Sequence, residues 1–238
     1  MASGSVKANE VSILLREVTL GGELIVPSGA TGLVIFAHGS GSSRHSPRNQ
    51  FVAEVLREAR LGTLLFDLLT AAEEQAEFHT RHLRFNIPFL SGRLVAVTRW
   101  ARNQAVCAGL RFGYFGASTG AAAALVAAAE LGETIGAVVS RGGRPDLAGT
   151  ALARVTAPTL LIVGALDTPV IPLNESAGAQ LRCEKALARV PGASHLFEEK
   201  GTLEVAVGLA TRWFARHLGG NLDRGDDRAY PGNFTRSS

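Results

Sequence analysis

Apolar residues in this chain fall in short continuous runs, separated by longer stretches with a helical period. Residues 33–37 (LVIFA), 63–66, 111–115, 135–140 and 159–163 are such runs. Runs that are apolar throughout, rather than at every second position, suit strands of a parallel sheet covered on both faces. Between them, residues 47–60, 87–103, 121–129 and 173–182 read as helices, with Leu90, Leu94, Val97 and Trp100 on the inward face of the second. Thr202–Leu218 reads as a closing amphipathic helix whose apolar markers are Val205, Leu209, Trp213 and Phe214. Residues 11–16 and 23–27 flank Gly21 and Gly22, a pattern that predicts an antiparallel hairpin turning at the two glycines. Lys185–Val190 reads as a last, less buried strand, and residues 146–154 as a short helix. The polar stretch 70–84 has room for another short helix.

Strand–helix alternation over most of the chain predicts an α/β fold: a doubly wound, mainly parallel sheet flanked by helices. Residues 1–218 form one domain in this reading, and residues 219–238, rich in Gly, Asp and Arg, form a flexible tail. The connection 141–146 is too short to hold a cap domain, so the site should be open and shaped by loops.

Composition narrows the class. Hydrophobic residues make up 46% of 238 and charged residues 19%, as expected of a packed globular domain. The net charge of +3 comes from 24 basic and 21 acidic residues, scattered without a Lys/Arg block, which argues against a nucleic-acid partner. No apolar run reaches the ~18 residues of a membrane span, and residues 1–10 carry no apolar leader segment. The expectation is a cytoplasmic protein with no membrane partner. Cys107 and Cys183 lie in no ligand spacing and read as two buried thiols.

Candidate chemistry centres on Gly116-Ala117-Ser118-Thr119-Gly120, a G-x-S-x-G pentapeptide between an apolar strand and an alanine-rich helix. In that context the serine sits on a sharp strand-to-helix turn, its hydroxyl at the carboxyl end of the strand and above a helix N-terminus. A nucleophilic serine needs a base, and the base needs an acid to orient it. Asp167 follows the 159–163 strand, and His195 lies in the turn-rich stretch 191–197 before the last helix, giving the chain order Ser, Asp, His. An oxyanion hole would use the backbone N–H of Thr119 and one from the loop 38–43, with Ser40 the expected donor and Gly41 its neighbour. That loop lacks the G-K-[ST] ending of a phosphate-binding loop. His38 reads as structural, its ring holding the loop. Arg141 and Arg144 follow a strand end and could clamp a substrate carboxylate, or pair with local acids such as Asp146. His79 and His82 beside Glu73, Glu74 and Glu77 read as a solvated mixed-charge segment rather than a zinc site. Neither metal nor other cofactor is expected. Trp100 and Trp213 read as core.

Five segments, residues 38–42, 116–120, 140–146, 161–167 and 191–197, together make the chain resemble the α/β-hydrolase superfamily, and within it the dienelactone-hydrolase-like group. The resemblance implies an α/β-hydrolase fold without a cap, hydrolysing small esters or lactones without a cofactor. One departure stands out: dienelactone hydrolases proper have a cysteine nucleophile, and this chain has Ser118. The expected partner is a small-molecule ester or lactone, with an activated phosphotriester as a promiscuous alternative. The rival of another class is a non-catalytic hydrolase fold that binds a ligand or a protein. The presence of Ser118, Asp167 and His195 together favours the enzyme.

Overall fold

The computed structural model describes residues 9–80, 82–219 and 234–237. Strands β1 (Asn9–Leu14) and β2 (Thr19–Ile25) form an antiparallel hairpin at one edge. Then come β3 (Gly32–Ala37), α1 (Pro47–Glu58), β4 (Leu61–Phe66), α2 (Ala71–Thr80), α3 (Ile87–Arg102), β5 (Arg111–Ala117), α4 (Thr119–Leu131) and β6 (Ile135–Arg141). Short 3-10 turns over Pro145–Arg154 lead to β7 (Thr159–Gly164), α5 (Ile171–Gln180), β8 (Lys185–Val190), α6 (Thr202–Leu218) and β9 (Phe234–Ser237).

Among the described residues these strands form one sheet in the order β1-β2-β4-β3-β5-β6-β7-β8-β9. Strands β3 to β8 are mutually parallel, and β1, β2 and β9 run antiparallel at the edges. Every residue of β3, β4 and β7 is buried, as a strand covered on both faces requires. Helices α1 and α6 cover one face through Val52, Leu56, Leu209 and Trp213. Helices α3, α4 and α5 cover the other through Leu90, Leu94, Leu125 and Ala177. Burying each of Leu209 and Phe214 on α6 contributes about 1.5–3 kcal/mol. No cap domain interrupts the sheet among the described residues.

Two local readings change. The hairpin turns at residues 15–18, closed by Leu15 N–H donating to the Val18 carbonyl at 2.9 Å, and not at Gly21 and Gly22, which lie inside β2. Close packing bears on Gly22: a Cβ there would lie 3.0 Å from the Ile13 Cδ1 and 3.3 Å from the Leu65 carbonyl oxygen. Val205, expected on the buried face of α6, is 49% exposed, because its position turns outward from the stripe Val207–Leu209–Trp213–Phe214. The expected flexible tail falls mostly outside the described residues. Its described part, β9, adds an antiparallel strand beside β8. Cys107 is buried, Cys183 is half-buried, and both are free thiols. Trp213 is core, and Trp100 packs partly buried against the same core as α3.

Candidate active site

Ser118 follows β5 directly and stands at the N-terminus of α4. Its backbone is left-handed in φ, at φ 49° and ψ −125°, which for a residue with a Cβ costs on the order of 1–3 kcal/mol. Close packing enforces the turn. A Cβ at Gly116 would lie 2.5 Å from the Ala121 Cα, and one at Gly120 would lie 2.1 Å from the Ala37 carbonyl oxygen. The Ser118 carbonyl is held by the N–H groups of Ala121 at 3.2 Å and Arg144 at 3.0 Å. The Thr119 N–H opens α4, where no carbonyl of the helix can accept it, and the helix dipole adds positive potential.

The loop after β3 packs on the serine so closely that a Cβ at Gly39 would lie 2.8 Å from the Ser118 Cβ. His38 anchors this loop. Its Nδ1 donates to the Gly39 carbonyl at 3.0 Å, and its Nε2 accepts from the Leu68 N–H at 3.0 Å. Burial lowers its pKa below the ordinary 6.5, outweighing the Gly39 hydrogen bond and the nearby Asp67 and Glu74 carboxylates. The neutral ring fits both bonds, since a protonated Nε2 could not accept. Ser40 bridges the loop to its surroundings: its hydroxyl lies 3.1 Å from the Thr119 hydroxyl and 3.1 Å from the Arg84 carbonyl.

Asp167 and His195 meet. The His195 Nδ1 lies 2.7 Å from the Asp167 Oδ2, and Asp167 is buried while His195 is partly exposed. Backbone bonds join the two loops: Ala165 N–H donates to the Val190 carbonyl and Leu166 N–H to the Ala193 carbonyl, both at 2.9 Å. At its other end the histidine loop is pinned by Ser194 N–H donating to the Glu199 carboxylate at 3.0 Å, a bond that lowers the Glu199 pKa. Phe197, buried, takes φ 57° to complete the bend.

Ser118, His195 and Leu196 line one cleft of about 600 Å³, together with Gly39, Arg48 and Arg141. Arg141, at the end of β6, is 7% exposed. Its Nε and Nη1 are buried with no hydrogen-bond partner among the described residues, and its guanidinium carbon lies over the Phe197 ring, 5.6 Å from the ring centre. Burial, and next the charge of Arg48, push its pKa down to about 10, which leaves it cationic at neutral pH. Arg144 behaves differently. It grips Asp146 with Nε at 2.9 Å and Nη2 at 2.8 Å, a local pair that occupies the fork a substrate would need. The structure therefore keeps one of the two expected arginines in the cleft. Arg48, which sequence reasoning missed, adds a second cation, paired at the rim with Glu198 at 2.9 Å. No spacing signal marks it, since it enters the cleft from the first turn of α1.

The acidic segment beside His79 and His82 has other partners. Glu73 is bound by Arg93, and Glu77 accepts from the N–H groups of Leu83 and Arg84 and from the Arg84 side chain. The His79 side chain lies outside the described residues. No group of three or more metal-ligating side chains occurs among the described residues. No helix among them is long and apolar enough to cross a membrane.

Sheet order, the strained serine turn and the Asp–His pair are those of an α/β-hydrolase fold. No protein-family model matches the chain. The crystal structure of a dienelactone hydrolase from Anabaena variabilis is 58% identical, with a TM-score of 0.88 over 89% of this chain and 98% of that one. The chain belongs to the dienelactone-hydrolase-like family of α/β hydrolases. Est1E from Butyrivibrio proteoclasticus (17% identity, TM-score 0.72, 89% of this chain and 99% of that one) shares the fold. So does an esterase from Pyrococcus furiosus (20%, 0.69, 90% and 92%). Among curated proteins, one from Mycobacterium tuberculosis, provisionally named a phosphoribosyl transferase, is 53% identical over 219 residues, or 92% of this chain. The same match recurs in a second strain of that organism. The chain spans about half the length of these relatives, 48%.

Proposed function

We propose that the protein is a serine hydrolase of small carboxylic esters or lactones. The observation that carries this reading is a serine on a strained turn, opening the same cleft as a histidine whose Nδ1 lies 2.7 Å from a buried aspartate. With Nδ1–H donated to Asp167, the His195 Nε2 is left as the proton acceptor. Ser118 Oγ attacks the ester carbonyl as its proton passes to His195. The developing oxyanion is met by the N–H groups of Thr119 and Ser40. His195 then protonates the departing alcohol, and a water activated by His195 hydrolyses the acyl-enzyme. Glycine at position 39 lets the Ser40 backbone approach the reacting carbon, because any side chain there would strike Ser118.

Arg141 supplies substrate recognition. A guanidinium this buried and without an acceptor gains most from an anionic group of the ligand, and a carboxylate suits it. The chemistry needs no metal. Kinship with a dienelactone hydrolase supports hydrolysis, while the transferase name of the longer relatives belongs to those proteins. The test is pre-steady-state release from a chromogenic short-chain ester. A burst stoichiometric with enzyme, lost in Ser118→Ala, is expected. The non-catalytic alternative would show neither burst nor turnover over a broad panel of esters and lactones.

A further inference from the structure

Helix α1 buries four residues, Asn49, Val52, Ala53 and Leu56, spaced three and four apart along one stripe. The last three pack into the core that α1 shares with α6. Asn49 puts an amide where the stripe would take another aliphatic side chain. It is 4% exposed, and its side chain makes no hydrogen bond among the described residues. A buried amide without a partner costs stability, and the fold gains nothing from it in return. It is not sealed in, because Asn49 lines the cleft of about 600 Å³ that holds Ser118 and His195. Ser42 and Ser46 line the same cleft, and the Ser46 hydroxyl, at the start of α1, caps no helix N–H.

We infer that Asn49 binds an uncharged hydroxyl group on the alcohol half of the ester, so that the substrates are monoesters of diols or polyols. The inference rests on the serine-hydrolase reading. The amide offers two N–H donors on Nδ2 and one acceptor, Oδ1. A hydroxyl uses both kinds at once, accepting from Nδ2–H and donating to Oδ1. An anion would use the donors alone and set its own charge against the lone pairs of Oδ1.

Position assigns the hydroxyl to the alcohol. His195 protonates the departing oxygen, so the alcohol lies on the histidine side of Ser118. The first turn of α1 borders that side: Arg48, next to Asn49, reaches Glu198 of the histidine loop at 2.9 Å. An alcohol with its ester oxygen at His195 and a hydroxyl at Asn49 then spans the cleft between the two elements. Ser42 and Ser46 offer their hydroxyls to the further hydroxyls of a polyol.

Uncharged isosteric esters test the assignment, with acid release followed in a pH-stat. 2-Hydroxyethyl butyrate is compared with propyl butyrate, and 3-hydroxypropyl butyrate with butyl butyrate. Propyl 3-hydroxybutyrate and propyl 3-methylbutyrate move the hydroxyl to the acyl half. The wild type should favour a hydroxylated alcohol by about tenfold in kcat/KM, the worth of two neutral hydrogen bonds, and show no such preference on the acyl half. Asn49→Leu should bring the ratio near one, the loss falling on the hydroxylated ester and in KM. Asn49→Ala should do the same without the bulk of leucine. The melting temperature of Asn49→Leu should hold or rise, since leucine completes the stripe, whereas loss of an amide that served the fold would lower it. No preference in the wild type, a preference that survives both variants, an acyl-side preference, or equal losses on both esters in both variants would overturn the assignment. Ser118→Ala separates the two readings. If it abolishes turnover while the wild type treats both esters alike, only the subsite fails. If turnover survives it, the hydrolase reading fails and the subsite with it.

Discussion

The turn carrying Ser118 is held by close backbone packing, within residues 116–121 and against Ala37 and Arg144, whereas the loop carrying His195 also depends on the side-chain carboxylates of Asp167 and Glu199. Around the serine, backbone atoms of residues 116 to 121 pack on one another and on Ala37 at the end of β3. Gly116 and Gly120 admit the tight strand-to-helix passage, and Ala121 and Arg144 hold the Ser118 carbonyl. Around the histidine, support comes from Asp167 after β7, from Glu199 before α6 and from Gly142 after β6. A Cβ at Gly142, where φ is 51°, would lie 2.8 Å from the His195 carbonyl oxygen. A serine turn braced by backbone groups should tolerate side-chain changes elsewhere in the fold. A base assembled from three loops is where distant substitutions reach the chemistry.

The largest expected effect tests the serine half. Ser118→Ala should lower kcat with a short-chain ester by about 10⁴-fold or more. The melting temperature should hold or rise, because alanine removes the hydroxyl and leaves the turn. Retained turnover at near wild-type rate would put the nucleophile elsewhere. On the assembled half, Asp167→Asn should cost about 10³–10⁴-fold, since the carboxylate sets the His195 tautomer. Added to His195→Ala it should cost little more, because the two act as a unit. Fully multiplicative losses would separate them. Gly142→Ala should displace the histidine loop and lower kcat by about 10²-fold, the scale of a 1 Å misplacement, with circular dichroism unchanged. A loss of fold of the same size would show that the loop is structural first.

These differences trace what the sequence made legible. The buried strands, the Ser118 turn and the positions of Asp167 and His195 were readable because each depends on short-range pattern: apolar runs, glycine spacing, strand ends. The hairpin turn was misread because Gly21 and Gly22 signal a bend locally, while both lie inside β2 and Gly22 packs closely on Ile13 and Leu65, contacts that sequence does not show. Arg141 and Arg144 looked equivalent. They part because Arg144 has Asp146 two residues away, whereas Arg141 is buried beside Phe197 from a different loop. Strand β9 was hidden in a stretch whose composition reads as loose.

The smallest expected effect concerns pH and stability. His38 is buried and neutral, its pKa lowered by burial, and His217 is shifted the same way by the same cause. The unfolded chain binds protons at both histidines as pH falls below about 6.5, while the folded chain resists. The unfolded state then holds more protons, so stability drops as pH falls through that window and is fully present above it. Melting temperature followed from pH 7.5 downward should show this slope, and His38→Gln should flatten part of it. An unchanged slope in that variant would assign the effect to other groups. Because His38 ties the 38–43 loop to Leu68, activity should fall in the same window.

Trapping the nucleophile tests the central claim most directly. The protein is treated with diethyl 4-nitrophenyl phosphate, and its intact mass is followed by peptide mapping. The account predicts a single diethylphosphoryl group on Ser118, formed in step with loss of esterase activity and absent from Ser118→Ala. An adduct on Cys107, Cys183 or another serine, with Ser118 unmodified and activity lost, would contradict it.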